Sequence, residues 1–217
     1  GNSLKPVLSF DHTADSEIKD LTIIGGGGRI GAGIKMSESS PKLVNLEIKG
    51  NGIDSETTKG GGVYAINSMP ELDSVKVHLN SSKQGAGIYL KGSEAVLRNS
   101  EIVGNVLESS EDLARRGRGI YSQNSNLELY GVTISGNNAY GGEGGGIYIT
   151  SFGEERIDSD NVLYDSVINN NEALMGGGIY MEGGTSNILG GVEISDNEAE
   201  TFGGGIYVES GSFALIA

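Results

Sequence analysis

Side chains that could carry acid–base or metal chemistry are concentrated in two charged stretches of the sequence. The first, residues 106–116, contains Glu108, Glu111 and Asp112 together with several arginines, and the second, residues 150–160, is rich in carboxylates. The oxygen count of the second stretch predicts a weak Ca²⁺ site. The candidate ligands are Glu154, Glu155, Asp158 and Asp160. Because both stretches mix acidic and basic residues, a solvated loop also explains them, and we assign no catalytic residue.

The overall composition excludes several other chemistries. The chain has 217 residues and no cysteine, so it has neither disulfides nor a Cys-ligated zinc site. Its two histidines, His12 and His78, are far apart in the sequence. The formal net charge of −14 argues against nucleic acid or an anionic membrane as partner. No apolar run approaches the length of a membrane span, so no insertion of this segment is expected.

Most copies of a repeated five-residue word of the type GGGIY end in tyrosine. Alternation along a strand would place this residue on the face opposite to its aliphatic neighbour. The column, which begins with Lys35 in the first repeat, would form an outward aromatic stripe. Such a stripe could stack ring on ring to protect the sheet, or bind a sugar or a protein. The tentative ligand-binding residues are Tyr64, Tyr89, Tyr121, Tyr148, Tyr180 and Tyr207.

The glycine words recur every 25 to 32 residues and alternate with a second word, L-x-x-V-x-I-x-x-N. Seven such units cover residues 18–208. Apolar residues two apart indicate strands, and no unit carries a helical pattern. The repeat therefore predicts an all-β fold, a right-handed, single-stranded parallel β-helix of seven to eight coils with two strands per unit. A leucine-rich horseshoe and a propeller fit less well, because the units lack a helix and are short.

Two columns of the repeat are expected to be structural. The first and third residues of each glycine word are always Gly, which predicts positive φ or close contact with the next coil. The middle position accepts Arg118 and is expected to face solvent. One asparagine per coil predicts a ladder of side-chain amides at a corner. The ladder residues are Asn51, Asn80, Asn105, Asn137, Asn171 and Asn197.

The segments outside the seven repeats fit a single domain, 1–217, cut from a longer solenoid. Residues 1–17 are interpreted as a cap or a preceding coil, and residues 209–217 as the start of a further coil. Leu215 lies nine residues after Ile206, where the next leucine of the repeat is expected. Further coils of the same polypeptide would then follow.

The sequence does not predict a nucleotide-binding site. Gly26, Gly28 and Gly31 match G-x-G-x-x-G after a strand-like segment. That motif requires a helix after the glycines and an acidic residue about 20 positions later, whereas another strand is predicted here.

The words GGGIY, ISGNNA (134–139) and ISDNEA (194–199) resemble the repeats of chlamydial polymorphic membrane proteins and related adhesin-like proteins. Those repeats combine a Gly-Gly-aliphatic-Ile word with a Phe-x-x-Asn word. This sequence has Ile or Val where that family has Phe, and it contains no cysteines. We do not expect these residues to include an autotransporter barrel. The resemblance implies a β-helix exposed at a cell surface and used in attachment.

Two functions remain open from the sequence. One is a non-enzymatic, secreted or cell-surface domain that acts as a rigid spacer and binds a glycan or protein. The other is a carbohydrate-active β-helix of pectin-lyase-like architecture, either a polysaccharide lyase or a glycoside hydrolase. That activity would require convergent acids, whereas the outward column Glu47, Lys76 and Glu101 alternates in charge as a solvated face does.

Overall fold

The fold is all-β within the part of the chain that the structure, a computed structural model, describes. These residues are 5–52, 57–106, 115–152, 160–209 and 211–216. Their strands form three long sheets and one short sheet, and every pairing between named strands is parallel.

Each of the first seven coils contributes one strand to each of the three long sheets, and the last described coil contributes one strand to sheets A and B. Sheet A contains β1 (Leu8–Asp11), β4 (Ile34–Ser37), β7 (Val63–Ile66), β10 (Ile88–Lys91), β13 (Ile120–Gln123), β17 (Ile147–Thr150), β21 (Ile179–Glu182) and β25 (Ile206–Val208). Sheet B contains β2 (Glu17–Lys19), β5 (Lys42–Val44), β8 (Glu71–Asp73), β11 (Glu94–Arg98), β14 (Asn126–Tyr130), β18 (Asp160–Tyr164), β22 (Ser186–Gly190) and β26 (Phe213–Ile216). Sheet C contains β3 (Thr22–Ile24), β6 (Glu47–Lys49), β9 (Lys76–His78), β12 (Glu101–Val103), β15 (Thr133–Ser135), β19 (Val167–Asn169) and β23 (Glu193–Ser195). The short sheet D contains β16 (Asn138–Glu143), β20 (Glu172–Met175) and β24 (Glu198–Phe202).

The prediction of two strands per unit was wrong, because the L-x-x-V-x-I word contains a corner. In the coil of Leu43, the strand of sheet B ends at Val44 and Asn45 adopts a φ of 51°. This left-handed residue turns the chain before Leu46, so that the following residues belong to sheet C. A short apolar pattern does not reveal such a turn when Asn, Asp or Ser makes it in place of Gly.

The core consists of columns of aliphatic side chains, one from each sheet in every coil. In sheet A the column includes Ile120 and Ile147, which are paired in register and fully buried. Leu129 of sheet B and Ile134 of sheet C complete the layer at the same level. Each coil thus buries its apolar residues against the coils on both sides, about 4.8 Å away, which single coils could not do.

The glycine word has two conformational requirements. Gly117, the first glycine of its word, has a φ of 54°, which favours a residue without a side chain. A Cβ atom at Gly87, a third glycine, would lie 2.5 Å from the carbonyl oxygen of Gly119 in the next coil. The first glycine therefore turns the chain and the third permits close stacking of the coils, as the sequence predicted.

The register of the last strand differs from the prediction. Leu215 pairs with Ile188, whereas Ile216 pairs with Leu189 of the repeated leucine column. The segment from Ile206 to the leucine column is therefore one residue longer than the nine residues predicted from the sequence. This segment contains a turn at Gly211, which has a φ of 89°.

Candidate functional site

The tyrosines of the GGGIY words form a continuous stack on the face of sheet A that points away from the main core. Tyr121 and Tyr148 are opposite each other in register, with ring centroids 5.0 Å apart and planes 7° from parallel. The other neighbouring pairs have centroids 4.9–5.3 Å apart. The spacing of the coils imposes this distance, so each ring contacts the ring of the next coil.

These rings are buried, which differs from the exposed stripe expected from alternation. Tyr64, Tyr89, Tyr121, Tyr148 and Tyr180 are between 0 and 8% exposed. Stacking covers the ring faces, and Lys59 and Arg116, which belong to one column of the coils, provide further contacts. Lys59 lies 5.1 Å from the ring centroid of Tyr89, and the guanidinium of Arg116 lies 5.3 Å from that of Tyr148. The stack is therefore a second apolar core, and the role of its tyrosines in ligand binding stays a prediction.

Several tyrosine hydroxyls at the edge of this stack donate a hydrogen bond to a side chain of the next coil. The acceptor lies two residues after the tyrosine of that coil. Tyr89 donates to Oε1 of Gln123 at 3.3 Å, Tyr148 donates to Glu182, and Tyr180 donates to Glu209. Burial raises the pKa of Tyr121 to about 12, since the phenolate would be poorly solvated. The phenols therefore remain neutral donors at physiological pH.

Glu182 lies on this face and has a pKa close to neutral pH. Burial raises the pKa of Glu182 to about 7, and the carboxylates of Glu143 and Glu209 contribute in the same direction, whereas Arg116 opposes them. Arg116 is itself bound to Glu143, with Nε 2.6 Å from Oε2. Glu182 is thus a half-buried carboxyl group that can exchange a proton near neutral pH.

The asparagine column forms an uninterrupted ladder of amides. Oδ1 of Asn137 accepts from the backbone N of Asn105 at 3.0 Å and from its Nδ2 at 3.1 Å. Nδ2 of Asn137 donates to the backbone O of Ile102 and to Oδ1 of Asn171. The amides satisfy buried backbone groups at the corner, which is a structural role.

The middle position of the glycine word is buried, contrary to the expectation from Arg118. Ala32 and Ala86 occupy it in other coils and are 0% exposed, as is Arg118. Nη1 of Arg118 donates to the backbone O of Ser82, and burial lowers its pKa to about 10, with a further contribution from the charge of Arg115. The presence of a long, charged side chain at this position suggested exposure to solvent. This prediction was wrong, because the side chain of Arg118 enters a corner of the coil.

The predicted Ca²⁺ ligands lie mostly outside the described residues. Glu154, Glu155 and Asp158 are not described, and neither are Glu108, Glu111 and Asp112 of the other charged stretch. Asp160 begins β18, is exposed, and its backbone N donates to Oδ1 of Asn126 at 3.2 Å. Among the described residues, no group of three or more His, Cys, Asp or Glu side chains is arranged to hold a metal ion.

The outward face of sheet C has the mixed charges that the sequence indicated. Nζ of Lys76 lies 2.7 Å from Oε2 of Glu101 in the next coil. Glu47 contacts Lys49 at 2.7 Å and His78 at 3.0 Å, and hydrogen bonds from these two residues lower its pKa. These charges neutralise one another on the surface of the sheet.

The outward face of sheet B carries an aromatic surface that was not predicted from the sequence. Tyr130 and Tyr164 have ring centroids 6.2 Å apart, and the guanidinium carbon of Arg98 lies 4.4 Å from the centroid of Tyr130. Tyr164 is 40% exposed, and its ring occupies the space that a side chain at Gly190 would take. The signal was available in the sequence, since Arg98, Tyr130 and Tyr164 all follow a core leucine by one residue.

Aliphatic side chains extend this surface along the same sheet. Val96, Val162 and Ile188 belong to the neighbouring outward column and are partly exposed; Glu128 lies between Val96 and Val162 in this column, and Ile188 lies in the coil that follows Tyr164. We call these three residues together with Arg98, Tyr130 and Tyr164 the sheet B surface. A shallow hollow of about 150 Å³ adjoins it at Val96, where Glu71 and Glu128 form the sides.

Comparison with protein families gives a match over most of the chain. The family model for the right-handed β-helix region matches residues 31–217. No curated protein matches this chain. Nowhere in the described residues is there a helix of the length and apolarity needed to cross a membrane.

Proposed function

The chain belongs to the right-handed β-helix family, and we propose that it is a non-enzymatic, adhesin-like repeat domain that binds a glycan or a protein. In this proposal the stacked coils are a rigid spacer, and the sheet B surface is the binding face. The domain would act outside the cell, as a secreted or surface-exposed segment.

The observation that carries this proposal is the row formed by Arg98, Tyr130 and Tyr164 on the outward face of sheet B. Five tyrosines of sheet A are at most 8% exposed, whereas Tyr164 is 40% exposed on the outward face of sheet B. Aromatic rings and arginine are enriched where proteins bind partners, because they offer a large apolar area with a polar end. Aromatic rings also pack against sugars through their apolar faces.

The geometry of this face suits an extended ligand. The outward columns of sheet B repeat at the coil spacing of about 4.8 Å, so equivalent groups recur along the axis of the helix. Val162 and Ile188 add apolar area beside the rings, and Arg98 provides hydrogen-bond donors at one end. A rigid surface of this type loses little conformational entropy on binding.

The test is a comparison of two tyrosine variants in a glycan array and a cell-surface binding assay. Tyr130→Ser combined with Tyr164→Ser should reduce binding at least about tenfold, as expected for the loss of central aromatic contacts. Tyr140→Ser is the matched control, because Tyr140 is 52% exposed on sheet D. Binding that persists in the double variant, or that is lost equally in the control, would contradict the proposal.

A second function, cleavage of a polysaccharide as a lyase or glycoside hydrolase, is favoured by Glu182. A carboxyl group with a pKa of about 7 is protonated often enough at neutral pH to act as a general acid. Incubation of the protein with acidic and neutral polysaccharides, with and without Ca²⁺, would reveal such activity. Cleavage by the native chain that is abolished by Glu182→Gln would replace the non-enzymatic proposal.

A further inference from the structure

Two hollows on the outward face of sheet B join into one groove. The first is the hollow of about 150 Å³ beside Val96, and the second has a volume of about 440 Å³. Met69 and Glu71 line both hollows, so the groove continues across five coils, a length of about 19 Å at the coil spacing. We call it the Met69 groove; it extends from Glu17 to Glu128, with Met69 and Glu71 at its centre.

Met69 is an exposed apolar residue that the stacking of the coils does not require. It is 55% exposed, and the equivalent residue in the two adjacent coils is Ser40 or Glu94. Exposed methionine recurs at protein surfaces that bind peptides, because its unbranched, polarisable side chain adapts to different partners. Val96 and the buried Pro70 add apolar surface beside it. The centre of the groove therefore favours a partner with apolar surface of its own.

The sides of the groove carry negative charge that no cation of the described residues pairs with. Glu71 and Glu94 are exposed and form no ion pair or side-chain hydrogen bond with another described residue. Lys42 is opposite Glu71 in register and is also exposed, but the two form no ion pair. Because Glu71 pairs with Val96, two residues beyond Glu94, the Cα atoms of the two acids are about 8 Å apart. In the part of the chain that the structure describes, no group of acids is arranged to hold a metal ion, so the charge suits an organic cation.

Ser16, in the first coil of the groove, is a second and independent observation that points to a ligand. It lines the larger hollow, and its Oγ is buried without a hydrogen-bond partner among the described residues. A buried hydroxyl in this state is unfavourable, and a carbonyl group of a ligand in the hollow would accept its hydrogen bond. The end of the groove therefore favours a ligand with acceptors of the kind that a polypeptide backbone carries.

We propose that the Met69 groove binds an extended polypeptide segment with lysine or arginine at alternate residues. Both side chains combine an aliphatic stem with a cationic end, so the stem packs on Met69 and Val96 while the cation pairs with a glutamate of the groove. Alternate residues of an extended segment lie about 6.6 Å apart on one face, close to the spacing of Glu71 and Glu94, and about six residues span the groove. The amino group of a sugar has no comparable stem, which favours a polypeptide over an amine-bearing glycan.

The test measures binding of capped peptides of about eight residues to the native chain by calorimetry. The salt concentration is about 0.15 M, at which charges more than about 8 Å apart are largely screened. The probe alternates lysine and serine. One control peptide has 2,4-diaminobutyric acid in place of lysine, which keeps the charge but lacks two methylene groups, and another has glutamate. The lysine peptide should bind at least about fivefold more tightly than the diaminobutyric acid peptide, because the shorter stems bury less apolar surface, and the glutamate peptide should not bind.

Two double variants with the same net charge separate the groove from the general charge of the chain. Glu71→Gln with Glu94→Gln should weaken binding of the lysine peptide at least about tenfold. Glu193→Gln with Glu200→Gln, at exposed acids of sheets C and D, should change it by less than about twofold. Met69→Ser should weaken it by about threefold or more, through the lost apolar contact. Because all five side chains are exposed, the melting temperatures of these variants should match that of the native chain.

Three results would each overturn the proposal: no binding of the lysine peptide to the native chain, equal binding of the two cationic peptides, or equal losses in the two double variants. The site goes beyond the proposed function, because Tyr130 and Tyr164 do not line the groove. Tyr130→Ser with Tyr164→Ser should therefore bind the lysine peptide as tightly as the native chain, even where its binding to glycans or cells is lost. Loss of peptide binding in that variant would place the peptide on the aromatic row and would also overturn the groove as its site.

Discussion

Tyr148 donates a hydrogen bond from its hydroxyl to Oε1 of Glu182, two residues beyond the next tyrosine of the stack. The same diagonal contact joins Tyr89 to Gln123 and Tyr180 to Glu209. The stacked rings are thus a constant feature of the coils, whereas the residue that accepts from each hydroxyl varies. At Glu182 that residue is a carboxyl group in a half-buried position, which gives the fold a titratable contact near neutral pH.

Glu182 should make the folded state more stable at weakly acidic pH than at neutral pH. Its pKa is about 7 in the folded chain and 4.5 ordinarily, so the folded state binds more protons between these values. The stabilising contribution is complete below pH 4.5 and is lost as the pH rises through 7. Because the side chain is only half buried, we expect a loss of about 1–2 kcal/mol, less than the full shift implies.

Urea denaturation of the native chain and Glu182→Gln at pH 5 and pH 8 measures this effect. The amide variant should be more stable than the native chain at pH 8 by about 1–2 kcal/mol and similar to it at pH 5. Glu94→Gln, an exposed glutamate of sheet B, serves as control and should change neither value. Parallel pH dependence of the native chain and Glu182→Gln would show that Glu182 is not the group responsible.

Replacement of a tyrosine inside the stack should destabilise the fold as much as replacement of a core aliphatic residue. Tyr148 is fully buried between Tyr121 and Tyr180, so Tyr148→Ser should cost about 3–5 kcal/mol. Ile147→Ala, in the main core, should cost about 2–5 kcal/mol.

Thermal melting of both variants gives the comparison. Tyr140→Ser, at an exposed ring, should change the stability by about 0.5 kcal/mol or less. A melting temperature of Tyr148→Ser equal to that of Tyr140→Ser would contradict a structural role for the stack.

Much of this architecture could be predicted from residue types, because stacking of coils imposes the same requirement at each repeat. Ile147 and Asn137 recur at their positions because a core and a buried corner need them in every coil. The burial of Tyr148 could not be predicted from alternation, which gives the face of a sheet but not what covers that face. The cover comes from side chains such as Arg116, which lie in columns with no common residue type.

A serine ladder at the corner between sheets A and B was likewise not predicted from the sequence. Oγ of Ser68 accepts from the backbone N of Ser39 at 3.1 Å, and Oγ of Ser93 accepts from the backbone N of Ser68. These serines recur with the period of the glycine words, so the signal was present in the sequence. Serine is common in surface loops, however, and only the structure shows that these serines are buried and bind backbone groups instead of water.

Loss of one ladder amide should be costly because it leaves buried backbone groups without partners. Asn137→Ala removes the acceptor of the backbone N of Asn105 and the donor to the carbonyl of Ile102. We expect a loss of about 2–4 kcal/mol in chemical denaturation. Asn138→Ala, at the next residue, removes a partly buried amide that donates to Glu172, and it should cost less than about 1 kcal/mol because the Oδ1 of this amide has no partner to lose. Equal losses in the two variants would mean that the ladder contributes no more than one partly buried contact.

Leu79 offers a site at which a single substitution should stabilise the chain. It precedes the ladder residue Asn80 and has a φ of 53°, a conformation that costs a non-glycine residue about 1–2 kcal/mol. The equivalent residue is Gly50, Gly104 or Gly136 in other coils. Leu79→Gly should therefore raise the free energy of unfolding by about 0.5–1 kcal/mol, since the greater freedom of glycine in the unfolded chain offsets part of the gain.

The control for this substitution separates backbone strain from the removal of an exposed apolar side chain. Leu79 is 62% exposed, so both Leu79→Gly and Leu79→Ala remove the same surface contact. Only glycine relieves the left-handed conformation, and alanine should leave the stability unchanged within about 0.5 kcal/mol. If alanine stabilises the chain as much as glycine, the conformation of Leu79 carries no strain. If glycine destabilises it, the leucine side chain makes a contact that outweighs the strain of its backbone.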